Sequence, residues 1–304
     1  MIEVSNAARI VFPDAGTTKG EVVHYYERVA HKMLPHLAGR PLTLERFPQG
    51  LAGGGFMQKN TPKHYPASIE RFSVDKREGE TTTYPVVHVA EDLPYLANQG
   101  TITFHVWPSR LPEPWTPDRI VFDLDPPEGS LARVREAATV VREFLSVLGL
   151  DAVPVATGSK GFHVVAPILP TVPPDRLSNA LFRAAHLLAG CHEDLLTVEF
   201  RKENRGGRVF LDWMRNHPGA TSVCPWSLRP RPNASVATPL SWDEVDSTAP
   251  DGWTLQNIDD RLAAPDPLLR LVDRAQDPAM ALEALEAKLD AAGVHPEPFD
   301  RFRS

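Results

Sequence analysis

Apolar residues in the first part of the chain recur every three or four positions. Val22, Tyr26, Val29, Met33 and Leu37 follow Thr18-Lys19-Gly20-Glu21, which has the T-x-x-E form of a capping box, so a helix is predicted over about residues 19–37. Short β-like runs come next, at residues 42–46, 84–89, 101–107 and 119–125, with a glycine-rich loop at 50–55. Val134, Ala138, Val141, Leu145 and Leu148 mark a second amphipathic helix, which Gly149 stops. The middle then reads strand, turn, strand: residues 153–156, the turn Thr157-Gly158-Ser159-Lys160-Gly161, and residues 162–168. A third helix carrying Leu177, Leu181, Ala184, Leu187 and Leu188 leads to a strand at 208–213. Prolines interrupt any regular element from Pro225 to Pro239, and residues 268–292 read as helix, polar enough for a surface appendage. No repeat period is visible, and the pattern predicts an α/β or α+β fold around mixed sheets.

At 304 residues and 42% hydrophobic, the chain has material for one sizeable core or two smaller subdomains sharing an interface. No run approaches the ~18 apolar residues that cross a bilayer. Met1-Ile2-Glu3-Val4-Ser5-Asn6 has neither a basic nor an apolar leader, so no membrane partner and no export are expected. Cys191 and Cys224 have no closely spaced partners, which suggests neither a disulfide framework nor a zinc cage. The net charge of -7 argues against binding nucleic acid by overall attraction, so any such contact must use a local basic surface. Arginines concentrate between Arg201 and Arg231, whereas acids gather from Asp243 to Asp266.

The strongest chemical signal is Ile120-Val121-Phe122-Asp123-Leu124-Asp125-Pro126. On a strand, Ile120, Phe122 and Leu124 point one way while Asp123 and Asp125 point the other, side by side. Like charges so close call for a cation, and hard oxygen donors suit Mg or Mn; two acids at a solvated strand end are the plainer alternative. Asp212, in Val209-Phe210-Leu211-Asp212-Trp213, is flanked by large apolar residues and must be paired, protonated or metal-bound; Arg208 and Arg215 are the arginines at hand. Three aspartates on two strands suffice for two ions of the kind that direct in-line phosphoryl displacement. In Thr157-Gly158-Ser159-Lys160-Gly161-Phe162-His163, glycines on both sides of Ser-Lys let backbone N–H groups approach an anion, and Lys160 and His163 add donors; a plain hairpin turn is the alternative. This is no P-loop, because a strand follows where a helix is required. His105 sits on a strand face with Thr103 and Trp107, a setting that more often holds a structural histidine. Arg205 and Arg229 are able to grip phosphate. Lys288-Leu289-Asp290-Ala291 has the K-x-D of nucleotide-activated ligases without their glycine, in a helical pattern, and reads as a decoy.

Phe122-Asp123-Leu124-Asp125-Pro126, the Thr157 to His163 turn and Val209-Phe210-Leu211-Asp212-Trp213, in that order and spacing, resemble the polymerase domain of bacterial ligase D, of the archaeo-eukaryotic primase superfamily. The likeness runs from about Asn6 to about Val245 and includes Gly16-Thr17-Thr18-Lys19, Thr82-Thr83-Tyr84-Pro85 and Ser227-Leu228-Arg229. It implies a primase fold of two mixed sheets, flanked by helices, with the active site in the cleft between them. It also implies roles. Asp123, Asp125 and Asp212 would be the metal ligands and catalytic acids, for two Mn or Mg ions. His105 would contact the incoming nucleoside triphosphate, with Thr157, Ser159, Lys160, His163, Arg205 and Arg229 around it. Asn6, Arg9 and Lys19 would receive a DNA 5′-phosphate across a gap. Phe56, with Met57 and Lys59 beside it, would meet the downstream duplex. Met57 stands where the family has a second aromatic, Arg9 where it often has lysine, and Arg215 where a glutamine is more usual.

The reaction so implied is attack of a primer 3′-hydroxyl on the α-phosphate of a nucleoside triphosphate, ribonucleotides preferred, in gap filling or end joining. DNA is the expected partner, gapped, 5′-phosphorylated or broken, together with an end-joining ligase and an end-binding protein, and the expected location is the cytoplasmic nucleoid. The expected division is a DNA-end-binding part (about 1–100) and a catalytic part (about 101–245), followed by a helical appendage (246–304). With no ligase or nuclease module, the chain reads as a stand-alone member or an excised domain. Two rival readings are a DNA-gap or DNA-end scaffold with weak catalysis, against which the three acids count, and a metal-dependent phosphoesterase, which needs no triphosphate grip.

Overall fold

The computed structural model describes residues 2–75 and 79–296. Helix Lys19–Leu37 forms over the predicted span because its first turn is closed from both sides. The Thr18 hydroxyl accepts the Glu21 N–H, and the Glu21 carboxylate accepts the Thr18 N–H at 2.7 Å. The helix buries Val22, Tyr25, Tyr26, Val29, Met33 and Leu37 and packs with helix Asp92–Asn98 on one face of a four-stranded sheet. That sheet runs Ser222–Val223, Thr101–Val106, Leu42–Arg46, Phe56–Gln58, antiparallel throughout.

A six-stranded sheet carries the second core, in the order Leu196–Thr197, Val209–Asp212, Arg119–Asp125, Phe162–Pro167, Val153–Ala156, Thr238–Pro239. It is mixed, since Leu196–Thr197 runs parallel to its neighbour and the other pairs are antiparallel. Helices Leu131–Val147 and Pro174–Cys191 cover one face, where Ile120, Phe122 and Leu124 meet Val134, Ala138, Val141, Leu181 and Ala184. On the opposite face Val121, Val153, Val155 and Val165 form a small apolar patch with Leu268. Further along the same strands that face turns polar.

The chain departs from the predicted pattern in places. Strand Thr81–Val86 begins earlier than expected and pairs in a hairpin with Glu70–Asp75, a strand whose signal is weak because Phe72 and Val74 are half-buried and its other residues exposed. The helical tail divides into Pro267–Val272 and Ala279–Ala291. Its inner stripe, Leu282, Leu285 and Leu289, is buried in the core that includes Leu181 and Leu188. The ligase-like triplet is structural, with Leu289 in the core and Asp290 paired to Arg183. Asp266 also ties the tail inward: one carboxylate oxygen caps helix Pro267–Val272, and the other accepts from His36 Nε2 at 2.8 Å and Trp226 Nε1 at 2.7 Å. Among the described residues no helix is long and apolar enough to cross a membrane.

Asp118, just before the central strand, joins the two halves. Arg40 reaches it from beyond helix Lys19–Leu37 with Nη2 at 2.6 and 2.7 Å from its two oxygens, Arg110 donates at 2.9 Å, and Arg119 lies at 3.5 Å. Burial raises the Asp118 carboxyl, but the three guanidinium charges overcome this and bring it down to about 2. A carboxyl depressed in the folded state contributes stability above its unfolded pKa and loses it as pH falls through the folded one. Asp118→Asn should therefore be less stable than wild type at pH 7 by about 2 kcal/mol or more, with the gap narrowing from about pH 4 towards pH 2. Urea unfolding at a series of pH values measures this; a gap independent of pH would refute it.

Candidate active site

The antiparallel register places Asp123 opposite His163 on one side and opposite Asp212 on the other. Residues directly opposite share a face, so the three side chains form a row, and Asp125, two residues on, adds a fourth polar group. The loops hold this row in place. Strand Val209–Asp212 ends at the Asp123 pair, and beyond it the Asn216 side chain takes over the ladder, accepting the Val121 N–H at 2.7 Å and donating to the Val121 carbonyl at 2.8 Å. That fixes the turn Met214–Asn216 against the acids.

Of the two arginines near Asp212, Arg215 is its partner, because Arg208 turns back to the carbonyls of Arg205 and Asn204. Arg215 Nη2 lies 3.2 Å from Asp212 and its Nε 3.0 Å from Asp123, while His163 Nε2 lies 3.5 Å from Asp123. Burial pushes the Asp123 carboxyl up, but His163 and Arg215 outweigh it and hold the group well below the usual range. The other two acids are under-compensated. Desolvation and then the Asp123 charge keep Asp125 above the ordinary value, and burial does the same for Asp212 despite Arg215. Among the described residues no three ligand side chains are already gathered around one point; the Arg215 guanidinium bridges Asp123 and Asp212 instead. Three hard carboxylates on one face of the sheet, two of them under-compensated, nevertheless fit divalent ions of the Mg and Mn type in the kind of donor they offer.

The turn Thr157 to Gly161 lies at the same end of the sheet. Gly158 has φ +65°, and a Cβ there would stand 2.7 Å from Arg229 Cγ and 2.9 Å from the Val236 backbone. A Cβ at Gly161 would fall 1.9 Å from the Leu124 carbonyl oxygen. Both glycines are thus required by close approach, and the turn is pinned by Ser235 Oγ to the Gly158 carbonyl at 2.6 Å and by Thr157 Oγ1 to the Gly161 carbonyl at 2.8 Å. Lys160 is exposed and pairs with Glu128 at 3.2 Å, and Ser159 accepts from Arg231 at 2.5 Å. A cavity of about 350 Å³ adjoins both, walled by Pro126, Pro127, Ser130 and Pro250.

Across the cleft, the small sheet turns Thr43, Glu45, Thr103 and His105 to one face by its register. His105 Nε2 is buried without a hydrogen-bond partner, since Glu45 at 3.7 Å is an electrostatic neighbour only. Burial lowers the pKa of the imidazole. Arg229 donates to the Thr157 carbonyl at 3.0 Å, its Nε has no partner, and its charge is felt by both Glu45 and Asp123. Arg205 stacks on Phe210 at 4.1 Å and stands within electrostatic reach of Asp125. Glu45 and Arg231 escaped the sequence reading, although the alternation Leu42-Thr43-Leu44-Glu45 already marks a polar face.

The N-terminal candidates gather around a separate cavity of about 350 Å³ lined by Ser5, Asn6, Arg9, Lys19, Arg46 and Gln99, among others. Lys19 Nζ donates to the Ser5 carbonyl and hydroxyl, both at 2.8 Å; burial and then the Arg9 charge lower its pKa. The first amides of the helix are already spent, those of Lys19 and Gly20 on the carbonyls of Arg9 and Ala7 and that of Glu21 on Thr18. Any anion here is therefore held by side chains rather than by free helix N–H groups. Phe56, Met57 and Lys59 are exposed at the edge of the small sheet. Phe56 pairs with Arg46, which lies over its ring, and Met57 pairs with Glu45, so the two leave the sheet on opposite faces. Larger hollows, of about 480 and 830 Å³, lie away from the acids, beside Leu268 and Trp242.

A mixed sheet that lifts three carboxylates towards a second, antiparallel sheet is the architecture of a primase-polymerase, a metal-dependent nucleotidyltransferase. The family model described as "LigD, primase-polymerase domain" matches residues 18–268. This chain belongs to that family. It is 35% identical over 300 residues to the multifunctional non-homologous end joining protein LigD of Mycolicibacterium smegmatis, covering 98% of this chain and 39% of that protein. The bifunctional LigD of Bacillus subtilis is 29% identical over 266 residues, 86% of this chain and 42% of that protein. The chain thus spans about two fifths of the length of these relatives. The polymerase domain of Mycobacterium tuberculosis ligase D, solved in complex with DNA, superposes with a TM-score of 0.83 at 35% identity, covering 90% of this chain and 99% of that one.

Gly158→Ala tests the packing of the turn. A left-handed backbone combined with contact on the Val236 main chain should lower stability by about 1–3 kcal/mol and displace Arg229. Urea unfolding checks this, and a shift below about 0.5 kcal/mol would contradict the crowding described.

Proposed function

We propose that Asp123, Asp125 and Asp212 hold two divalent ions, manganese or magnesium, and that this cleft extends a DNA primer from a nucleoside triphosphate in filling short gaps during end joining. The observation that carries this reading is the register that sets Asp123 opposite Asp212 with Asp125 on the same face. When bound, the ions supply charge stabilisation to the attacking and leaving oxygens. The chain's own groups do the rest. Ser159, Lys160 and Arg229 grip the triphosphate, with Thr157 and His163 fixing the turn and the acid row. His105 offers the nucleotide a buried nitrogen that makes no hydrogen bond within the chain, and Arg205 adds positive charge beside Asp125. Template pairing supplies sequence choice, so the protein reads backbone and ends.

The same reading gives residues 1–100 the DNA end and residues 101–245 the chemistry, with 246–304 appended to them. Asn6, Arg9 and Lys19 take the 5′-phosphate at the far side of a gap, and Phe56, Met57 and Lys59 meet the duplex beyond. An end-joining ligase and an end-binding protein are the partners that suit such work at the nucleoid.

The test is incubation with a labelled, gapped duplex, Mn²⁺ and each ribo- or deoxyribonucleotide. Extension supports the proposal, with ribonucleotides used better; cleavage would mark a phosphoesterase and retardation alone a scaffold. Asp125→Asn should cut extension by about a hundredfold or more while the duplex remains bound. Extension by this variant at the wild-type rate would remove the acid from the reaction.

The phosphate pocket yields a separate expectation. A charge-assisted contact is worth roughly 1.5–3 kcal/mol, so removing the 5′-phosphate should weaken wild-type binding about tenfold or more at fixed salt, and Lys19→Ala binding hardly at all. Equal affinity of the wild type for phosphorylated and hydroxyl-ended gaps would refute it.

A further inference from the structure

The acid row already holds a cation of its own. Arg215 uses all three guanidinium nitrogens: Nε on Asp123 Oδ2 at 3.0 Å, Nη2 on Asp212 Oδ2 at 3.2 Å, and Nη1 on the Thr221 carbonyl at 3.2 Å. A planar fork bridging carboxylates of two adjacent strands occupies the side from which a shared metal ion would be held. Its backbone is anchored, because the neighbouring Asn216 is fully buried and bonded to Val121. Its side chain is the more open partner, 35% exposed against 11% and 4% for Asp123 and Asp212. The fork therefore enters from the solvent side and can withdraw there without disturbing the strands.

We infer that Arg215 is a tethered counterion that sits between Asp123 and Asp212 and must swing out before a divalent ion binds. The inference rests on the proposed metal role of the three acids. Ion binding is then a competition with the chain's own guanidinium, which bridges Asp123 and Asp212 when no metal is bound. It also sets a threshold concentration for the metal. Arg215 acts through the acids and is a positioning residue. One positive charge at ion-pair distance, partly screened by its exposure, should weaken divalent-ion binding roughly ten- to a hundredfold.

Mn²⁺ titration of the full chain, followed by the electron paramagnetic resonance signal of the free ion, tests this without relying on turnover. Arg215→Gln should bind Mn²⁺ about ten- to a hundredfold more tightly than wild type, and Arg215→Lys, which keeps the charge, should stay near wild type. Equal or weaker binding by Arg215→Gln, with an unchanged circular dichroism spectrum, would overturn the inference. Should that variant fold poorly, the wild type still decides: the Arg215 Nε–H resonance should shift on saturation with Mg²⁺, and a signal indifferent to Mg²⁺ would overturn it. Equal Mn²⁺ affinity of wild type and Asp123→Asn would be a different failure, removing the acids as ligands and this inference with them.

Discussion

Carboxylates on neighbouring strands of one sheet repel each other, and here register forces two of them directly opposite. Asp123 and Asp212 cannot move apart, because the core residues alternating with them, Phe122, Leu124 and Leu211, are locked beneath the helices. Uncompensated charge at such depth costs several kcal/mol, so the surroundings are built to neutralise it. His163 arrives on the neighbouring strand, the Met214 N–H bonds Asp212, and the turn carrying Arg215 is held by Asn216.

The second sheet answers the first with unspent donors. His105 and Arg229 each keep a buried nitrogen without a hydrogen bond, an arrangement costly in an inert core and reasonable in a cleft that receives a ligand. Glu45 between them balances the charge, and Gly158 lets Arg229 lie flat against the turn. Rigid elements thus set the spacing of the cleft walls, with the three-arginine clamp on Asp118 tying the two walls together.

Much of this was legible in the sequence. Helix Lys19–Leu37 follows its hydrophobic spacing because one face is buried and the other is not, and strand Arg119–Asp125 keeps its predicted bounds although it is buried on both faces as far as Leu124. The alternation also placed Asp123 and Asp125 on the face opposite Phe122. What it did not contain was partnership across strands. That Arg215 bridges two acids, that Glu45 stands by His105, and that the first helix amides are already occupied all depend on register and loop path, which no local pattern encodes. The packing of the tail was hidden for a related reason: Leu282, Leu285 and Leu289 form a narrow stripe whose burial needs helix Pro174–Cys191 beside it.

The path of the chain between the sheets has a consequence for how the protein can be divided. Strand Ser222–Val223 leaves the catalytic half to pair with Thr101–Val106, and after residues 224–237 Thr238–Pro239 returns to close the edge of the larger sheet. A fragment ending before Ser222 would leave both sheets with an open edge and the Tyr25 hydroxyl without its Trp226 carbonyl. The two halves are therefore a single cooperative folding unit, completed only when the last third of the chain has been made, and neither half is a module that recombination could move alone.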